Sequence, residues 1–346
     1  MKNKKSKYTF TMVSKIALYL CSLLLLLTII IPVDISAQSL TVYSGRSKAL
    51  VEPLIQKFEQ EHGVRMNVRY GSSTQLAVAL LEEGRRTPAD IFWAQDAGAL
   101  GAVHRGDMFQ QLPRNLLSTL PEELYNSGET WVATSGRARV LAYSSTRVDT
   151  AALPESVLDL TDTMWRNRVG WAPSNGSFQS FLTSLRLLEG DDATLQWLNQ
   201  MKNNGAQSYI NNSSLLQAIA AGEIDLALTN HYYLYRFREN NPDFPVDQTY
   251  FAENDPGNLV NVAGIGILET AENRENAIRF IRFLLEQENQ QWVTNEVYEY
   301  PVIHNLDSVH GNTTFEDIQE LSPNVELDDL SDLDQTLSLL RRAGLL

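Results

Sequence analysis

The chain has 346 residues, of which 43% are hydrophobic and 20% are charged. This composition excludes an intrinsically disordered protein and allows either two domains or one large one. The formal net charge of −14 argues against nucleic acid or an anionic membrane surface as a partner, and it is compatible with a cationic ligand or simply with a well-solvated surface.

A basic and then apolar segment opens the sequence. Five lysines within residues 1–15 precede an apolar run over residues 16–31, and Ala37 offers a small residue for cleavage. This order is typical of a secretory signal peptide, so we expect residues 1–37 to direct export. An uncleaved membrane anchor is the alternative, because the run is long. Cys21, the only cysteine, lies within the run, so the exported part has no disulfide and no thiolate metal site.

Strands alternate with helices after this segment. Residues 40–43, 64–70 and 89–93 are predicted as strands, and the segments between them carry apolar residues at helical spacing. Three strands joined by helices predict a parallel, doubly wound α/β sheet. Ligands of such sheets bind beyond the carboxyl ends of the strands.

A second α/β unit follows, and two long extended runs at residues 132–145 and 258–268 are predicted to cross between the units. We therefore predict two doubly wound α/β lobes, a hinge of two extended crossing segments and a cleft between the lobes. The predicted division is residues 38–135 for the first part of lobe 1, 136–261 for lobe 2, 262–312 for the second part of lobe 1, and 313–346 for C-terminal helices that pack on lobe 2.

Motifs for catalysis are missing from the sequence. The five histidines, at positions 62, 104, 231, 304 and 310, show no metal-site spacing and lie in no nucleophile motif. There is no glycine-rich dinucleotide fingerprint, no phosphate loop and no GxSxG. We therefore predict a binding protein rather than an enzyme.

Several blocks of the sequence, in a fixed order, carry a resemblance to a known family. The blocks are LTVYSGRS, EEGRRTPADIFWAQD, SGRARVLAYSS, GWAPSNGSF, NNSSLLQAIAAGEIDLALTNHYY and LSLLRRAGLL. They resemble the periplasmic ferric-ion-binding proteins of ABC-type iron importers, within the class II bilobal solute-binding proteins, over essentially everything after Ala37. The resemblance implies a periplasmic-binding-protein-like II fold, a periplasmic location, and delivery of Fe(III) to an ABC transporter permease in the inner membrane.

The adjacent tyrosines after the GEID block are the most specific part of the resemblance, which implies that Tyr232 and Tyr233 coordinate Fe(III) as phenolates. A hard trivalent cation prefers anionic oxygen and stabilises the deprotonated phenol, whose free pKa is about 10. Neighbouring side chains of a strand point to opposite faces, so the backbone must leave the β conformation near Asn230 for both rings to share one ion. The alternative is that Tyr232 packs in the core and Tyr233 lies on the surface.

The sequence departs from the family at two ligand positions. Ser47 stands where full-set members have histidine, and Gln95 stands where they have glutamate. Neither side chain is a good Fe(III) ligand, so both are weak candidates. A subgroup of the family uses a third tyrosine on the crossing segment, matched here by Tyr143. The predicted metal ligands are therefore Tyr143, Tyr232 and Tyr233, with a packing role as the alternative for Tyr143.

Three phenolates leave coordination positions open, and the resemblance implies a synergistic carbonate or phosphate. Exposed N–H groups at a helix start attract oxyanions, which favours the SNGS stretch; a plain helix cap is the alternative there. Arg137 is favoured over Arg46 as a charged contact because it shares a segment with Tyr143. The predicted anion-binding residues are Ser174, Asn175, Gly176, Ser177, Asn212, Asn230, Arg137 and Arg46.

The predicted partners are the ferric ion and the permease, with no nucleic acid, and we expect a monomer. Two rival functions remain open. The first is the binding of another solute on the same scaffold, such as a phosphonate, an organic anion or a polyamine. The second is an exported enzyme, for which the sequence offers no constellation.

Overall fold

The structure is a computed structural model that describes residues 39–303, 306 and 315–346. The predicted signal segment therefore lies outside the described residues, as do His304 and His310. Within the described part of the chain, no helix combines the length and the apolar character needed to cross a membrane.

The first half of the fold is a parallel sheet with the strand order β2-β1-β3. All four side chains of the third strand are buried, as expected for a central strand covered on both faces. The first helix ends at Gly63, which takes the left-handed conformation (φ 66°). The elements are β1 Ser39–Ser44, β2 Arg65–Tyr70 and β3 Ile91–Ala94, with α1 Lys48–His62, α2 Ser73–Glu83, α3 Ala97–Arg105 and α4 Arg114–Leu117.

Strand β4 (Trp131–Ser144) is buried along its whole length and belongs to both halves of the fold. Its residues 131–138 pair antiparallel with β9 (Val260–Ile267), which also pairs with β3. Its residues 139–144 pair instead with strands of the second half. The two halves are thus joined into one sheet of nine described strands, and the two predicted crossing segments correspond to β4 and β9.

The second half pairs β5 in parallel with both β6 and β7, while β8 lies beside β4. Its core contains edge-to-face aromatic pairs, including Trp171 with Phe178 (5.8 Å between ring centroids) and Phe181 with Trp197 (5.9 Å). The elements are β5 Val169–Trp171, β6 Gln207–Ser208, β7 Leu226–Asn230 and β8 Val246–Thr249, with α5 Gly176–Glu189, α6 Asp191–Asn203, α7 Asn212–Ala221 and α8 Tyr232–Asn240.

The C-terminal elements contact both halves. Thr336 hydrogen-bonds Thr183 of α5 (2.7 Å between hydroxyl oxygens), and Arg105 of α3 donates to Ser331 (2.7 Å). A π-helical turn over Val293–Val297 ends at Tyr298, which takes the left-handed conformation (φ 64°). The helices are α9 Arg274–Leu284, α10 Gln287–Trp292, α11 Phe315–Leu321 and α12 Leu333–Arg342.

Candidate metal-binding site

The tandem tyrosines open helix α8, so the backbone leaves the β conformation at Asn230, as the sharing of one ion requires. Strand β7 ends at Asn230, and His231 already has helical dihedral angles (φ −55°, ψ −40°). Successive helical side chains are about 100° apart, in contrast to the opposite directions of a strand, so both rings can face one space. The rings of Tyr232 and Tyr233 stack with their centroids 4.3 Å apart.

His231 fixes the residue immediately before the pair. The backbone N–H of Ala138 donates to its Nδ1 (3.2 Å), so Nε2 carries the proton and donates to the Tyr298 carbonyl (2.9 Å). The imidazole also stacks on Tyr300, with 4.7 Å between centroids. The start of α8 is thereby attached to strand β4 and to the segment after the π-helical turn.

The two phenols have different environments. Tyr232 is fully buried, and its hydroxyl oxygen accepts a hydrogen bond from Gln95 Nε2 (2.9 Å). Burial raises the pKa of Tyr232 well above 10, with further increases from Tyr233 and Glu299, while Arg46 and Arg137 act in the opposite direction. Tyr233, in contrast, lines an open cleft.

Arg46 and Glu299 form a buried bidentate ion pair, with both N···O distances 2.8 Å. Burial alone would lower the pKa of Arg46, but Glu299, together with Tyr232 and Tyr233, outweighs burial and the pKa is raised. Glu299 also accepts a short hydrogen bond from Ser135. Both terminal nitrogens of Arg46 are thus engaged by Glu299, whereas its Nε has no hydrogen-bond partner among the described residues, and its role as an anion contact stays a prediction.

Arg137 is 1% exposed, and neither of its terminal nitrogens has a hydrogen-bond partner among the described residues. Burial lowers its pKa, while the nearby Tyr232, Glu299 and Asp96 oppose this effect. A buried guanidinium without partners is costly unless an anion joins it. The geometry therefore keeps Arg137 as the stronger anion candidate.

Arg139 is a third buried guanidinium that the sequence reasoning missed, although the RAR spacing puts it on the same face of β4 as Arg137. It donates to Asn230 Oδ1 (3.3 Å) and to the Leu228 carbonyl (3.1 Å). Burial and then the charge of Arg137 lower its pKa to about 9. Glu299 was also missed, and its sequence neighbourhood carries no signal for a buried carboxylate.

The open cleft beside Tyr233 has a volume of about 820 Å³. Ser47 and Gln95 lie along it together with Ser174, Asn175 and Gly176, so the structure brings most of the predicted small polar residues to one space. Ser47 and Gln95 do occupy the wall opposite the tyrosines, but they present a hydroxyl and an amide there.

The predicted anion loop forms the start of α5. Asn175 caps this helix by accepting a hydrogen bond from the Ser177 N–H (3.0 Å), so the helix-cap alternative is realised. A side chain at Gly176 would collide with Asp96, because a Cβ would lie 2.6 Å from Asp96 Oδ2. This absence of a side chain leaves room for close approach to the backbone.

The two predicted asparagine contacts differ. Asn230 donates to Ser177 Oγ (3.1 Å) and accepts from Arg139, so both ends of its amide are engaged, whereas the Ser177 hydroxyl accepts here and can still donate its own proton to an anion. Asn212, the first residue of α7, is fully buried, and neither its amide oxygen nor its amide nitrogen has a partner in the described structure. Asn212 therefore remains an anion candidate.

Tyr143 lies away from the tyrosine pair. In the register of β4 with β7, Arg139 is opposite Asn230 and Tyr143 is opposite Leu226. Four residues of strand, about 13 Å at roughly 3.3 Å per residue, separate Tyr143 from the strand end that leads into α8. Burial and then Asp247 raise its pKa. The register argues against Tyr143 as a third ligand and favours its packing alternative.

No group of three or more His, Cys, Asp and Glu side chains suited to a metal occurs in residues 39–303, 306 and 315–346. The oxygen donors that the structure brings together beside the cleft are the phenols of Tyr232 and Tyr233, a ligand type suited to a hard cation.

Comparison with known proteins shows similarity over most of the chain. Residues 86–319 match the family described as bacterial extracellular solute-binding protein. The chain is 32% identical over 317 residues to the major ferric iron-binding protein of Neisseria meningitidis serogroup B, with 88% of this chain and 93% of that protein covered.

Solved structures show the same fold. The iron-bound HitA of Pseudomonas aeruginosa matches with a TM-score of 0.84 and 29% identity, covering 88% of this chain and 99% of that chain. The Trichodesmium protein IdiA (FutA), in complex with iron and citrate ligands, matches with a TM-score of 0.72 and 25% identity, covering 89% and 100%. The predicted class of fold is confirmed.

Proposed function

The chain belongs to the family of bacterial extracellular solute-binding proteins, and we propose that it captures Fe(III) through the phenolates of Tyr232 and Tyr233 for uptake by an ABC permease. The observation that carries the proposal is the stacked pair at the start of α8, with one ring buried and the other lining the cleft. The names of the relatives, a ferric iron-binding protein and an iron-bound protein, agree with this ion.

Buried positive charge supports phenolate formation at this place. The guanidinium groups of Arg46 and Arg137 act to lower the pKa of Tyr232 against the effect of burial. Because burial dominates, Tyr232 is a neutral phenol at neutral pH without the ion. Binding of Fe(III) then releases its proton, since the metal stabilises the phenolate.

The remaining coordination positions are filled by a synergistic anion. Arg137 and Asn212 support this part of the proposal, because both are buried and carry polar atoms without partners among the described residues. The predicted carbonate or phosphate would satisfy such donors through charge-assisted hydrogen bonds. Ser47 and Gln95 contribute hydrogen bonds rather than metal bonds.

Capture, not catalysis, is the proposed mechanism. Gln95 and Tyr232 already hydrogen-bond across the two walls of the cleft, so a bound ion adds to a contact that the walls make themselves. The closed protein would act as a monomer in the periplasm and dock on the permease. Nucleic acid is not among its proposed partners. Loss of the anion and protonation of the phenols would favour release.

A visible absorption spectrum tests the proposal. We expect a broad phenolate-to-iron band when the exported domain receives ferric nitrilotriacetate and bicarbonate. The double variant Tyr232→Phe, Tyr233→Phe should lack the band, whereas the control Tyr235→Phe, on the same helix, should keep it. A parent protein that stays colourless would contradict the proposed binding of Fe(III).

An organic anion without iron is the second candidate. The unpartnered Arg137 and the size of the cleft favour it. Such a complex would be colourless, so the same spectrum separates the two functions.

A further inference from the structure

We propose that Asp96 is a positioning residue for metal capture, which holds the cleft closed by binding the start of helix α5 from the opposite half of the protein. The inference rests on the proposed function, because it assigns to Asp96 the closing of the same cleft over the tyrosine pair. Asp96 is 2% exposed and directly follows Gln95, which donates to the Tyr232 hydroxyl oxygen (2.9 Å).

The carboxylate of Asp96 lies between the N-terminal turns of two helices. Its Oδ1 accepts hydrogen bonds from the Ala99 N–H of α3 (2.8 Å), the helix that Asp96 caps, and from the Ser180 hydroxyl of α5 (3.1 Å). Its Oδ2 lies beside the first residue of α5, since a Cβ added to Gly176 would be 2.6 Å from it, and this oxygen has no hydrogen-bond partner among the described residues. Helix N-termini carry partial positive charge, so one carboxylate attracts both helices. Because α3 belongs to the first half and α5 to the second, this attraction acts across the cleft.

One face of α5 contacts the first half. Gly176, Gln179 and Ser180 have the i, i+3, i+4 spacing of a single helix face. Gln179 accepts a short hydrogen bond from Thr74 of α2, and Gln179 and Ser180 are each 2% exposed. These contacts are polar although they are buried, and polar groups regain hydrogen bonds to water when such a surface separates. A contact of this kind therefore suits two halves that open and close.

The start of α5 is also connected to the tyrosine pair. Ser177, the second residue of α5, accepts a hydrogen bond from Asn230 (3.1 Å), the last residue of β7. Asp96 thus holds α5 together with the strand end that leads into α8, while the neighbouring Gln95 contacts Tyr232 directly. Asp96 therefore acts on metal binding through the position of the phenols.

Small-angle X-ray scattering and iron competition test this role on the exported domain. Asp96→Ser keeps a side-chain oxygen that can cap α3 but removes the carboxylate oxygen beside Gly176. We expect the iron-free variant to have a larger radius of gyration than the iron-free parent, and its Fe(III) affinity to fall about tenfold. Saturating iron should return the variant to the radius of the loaded parent, which a misfolded protein would not do.

A pair of serine variants on α5 provides the matched control. Ser180→Ala removes the hydrogen bond to Asp96 and should lower the Fe(III) affinity about threefold to tenfold. Ser184→Ala makes the same change one turn later, at a buried hydroxyl that has no partner among the described residues. It should leave the affinity and the radius of gyration unchanged.

Gly176→Ala tests the contact independently. The added methyl group would collide with Asp96 Oδ2 in the closed form, so the Fe(III) affinity should fall and the radius of gyration should grow. This effect should disappear in the double variant with Asp96→Ser, because serine leaves room for the methyl group. An equal loss of affinity from Gly176→Ala in both backgrounds would overturn the inference, since the loop would then act on the bound ion or anion directly.

An unchanged radius of gyration and affinity in Asp96→Ser would also overturn the inference and leave the proposed function standing. A parent protein that binds no iron would instead reject the proposed function. The radius of gyration of the iron-free variants would still decide whether Asp96 closes the cleft.

Discussion

The two walls of the cleft differ in their chemistry. The wall formed by the start of α8 and by strand β4 concentrates ionisable groups, with Tyr232 and Tyr233 in front of Arg137 and Arg139. The wall at the ends of β1, β2 and β3 offers neutral side chains to the same space, namely the hydroxyls of Ser47, Ser72 and Ser73 and the amide of Gln95. In the proposed function, a hard cation therefore finds its protein ligands on one wall, and the other wall contributes hydrogen bonds.

The largest expected effect comes from removing the phenols of the wall that carries Tyr232 and Tyr233. The double change Tyr232→Phe, Tyr233→Phe removes both anionic ligands, so the Fe(III) affinity should fall far more than the ~10–100-fold typical of losing an outer-shell partner. Competition with nitrilotriacetate measures the affinity, and Tyr235→Phe serves as the control. Retention of most of the affinity by the double variant would show that the ion binds elsewhere.

The buried ion pair behind the cleft comes next. Glu299→Gln leaves Arg46 charged and unpaired in the interior, which should cost about 3–5 kcal/mol of unfolding free energy. Urea unfolding of the iron-free protein measures the loss, with Glu288→Gln, whose side chain is 81% exposed, as the matched control. Equal stabilities of the two variants would contradict the importance of this pair.

Glu299 also gives the pair a pH dependence. Burial alone would raise the pKa of Glu299, but Arg46, together with Arg137 and Ser135, outweighs burial and the pKa is lowered. A carboxyl with a lowered folded-state pKa stabilises the protein above its unfolded pKa, and this contribution is lost as the pH falls through the folded value. The acid-induced fall in stability of the parent should therefore be weaker in Glu299→Gln.

Iron binding should depend on pH because the phenols of Tyr232 and Tyr233 must lose their protons to bind the ion. Each phenol that releases a proton on binding lowers the affinity about tenfold per pH unit of acidification, and the raised pKa of Tyr232 keeps this slope through neutral pH. Titrations between neutral and mildly acidic pH check the slope. An affinity that stays flat is incompatible with phenolate ligands.

The two walls differ in that one has phenols that can bind the metal and the other has none. Adding an anionic ligand to the wall that carries Gln95 would reduce this difference. Gln95→Glu places a carboxylate next to the Tyr232 hydroxyl, so the Fe(III) affinity should rise about tenfold or more. Gln95→Met, which loses only the hydrogen bond, should instead lower it by about threefold to tenfold. The same competition assay decides between a gain and a loss.

The smallest effect is expected at Tyr143. Tyr143→Phe should change the Fe(III) affinity by less than about twofold, because the residue lies roughly four strand residues from the tyrosine pair. A loss of the visible iron band in this variant would restore Tyr143 as a ligand.

The fold could be predicted from the sequence because the patterns that indicate strands and helices lie within short stretches of the chain. The extended runs that became β4 and β9, and the alternation of strands with helices, depend on neighbouring residues. The tyrosine pair was also identified from contiguous residues, but whether it lies in a loop or opens a helix depends on His231 and its contacts with Ala138 and Tyr298.

Other features of the site depend on pairing between distant parts of the chain. Glu299 meets Arg46 across 253 positions of sequence, and no local pattern marks such a partner. The position of Tyr143 relative to the tyrosine pair likewise follows from the register of β4 with β7, which residue type does not reveal. Residue type alone therefore supplied candidates for the site, and pairing between distant segments determines where each one lies.

The sharing of β4 between the halves has a mechanical consequence. A rotation of one half against the other must bend β4 where its partner changes, between Ala138 and Arg139. His231 accepts a hydrogen bond from the Ala138 N–H at this bend. The adjacent tyrosines are therefore close to the bend and would move little relative to it. Ser47 and Gln95 belong to the other half, so such a rotation would change their distance from the tyrosines. An ion held by the tyrosines would thus stay close to the bend in β4, while the wall that carries Ser47 and Gln95 moves relative to it.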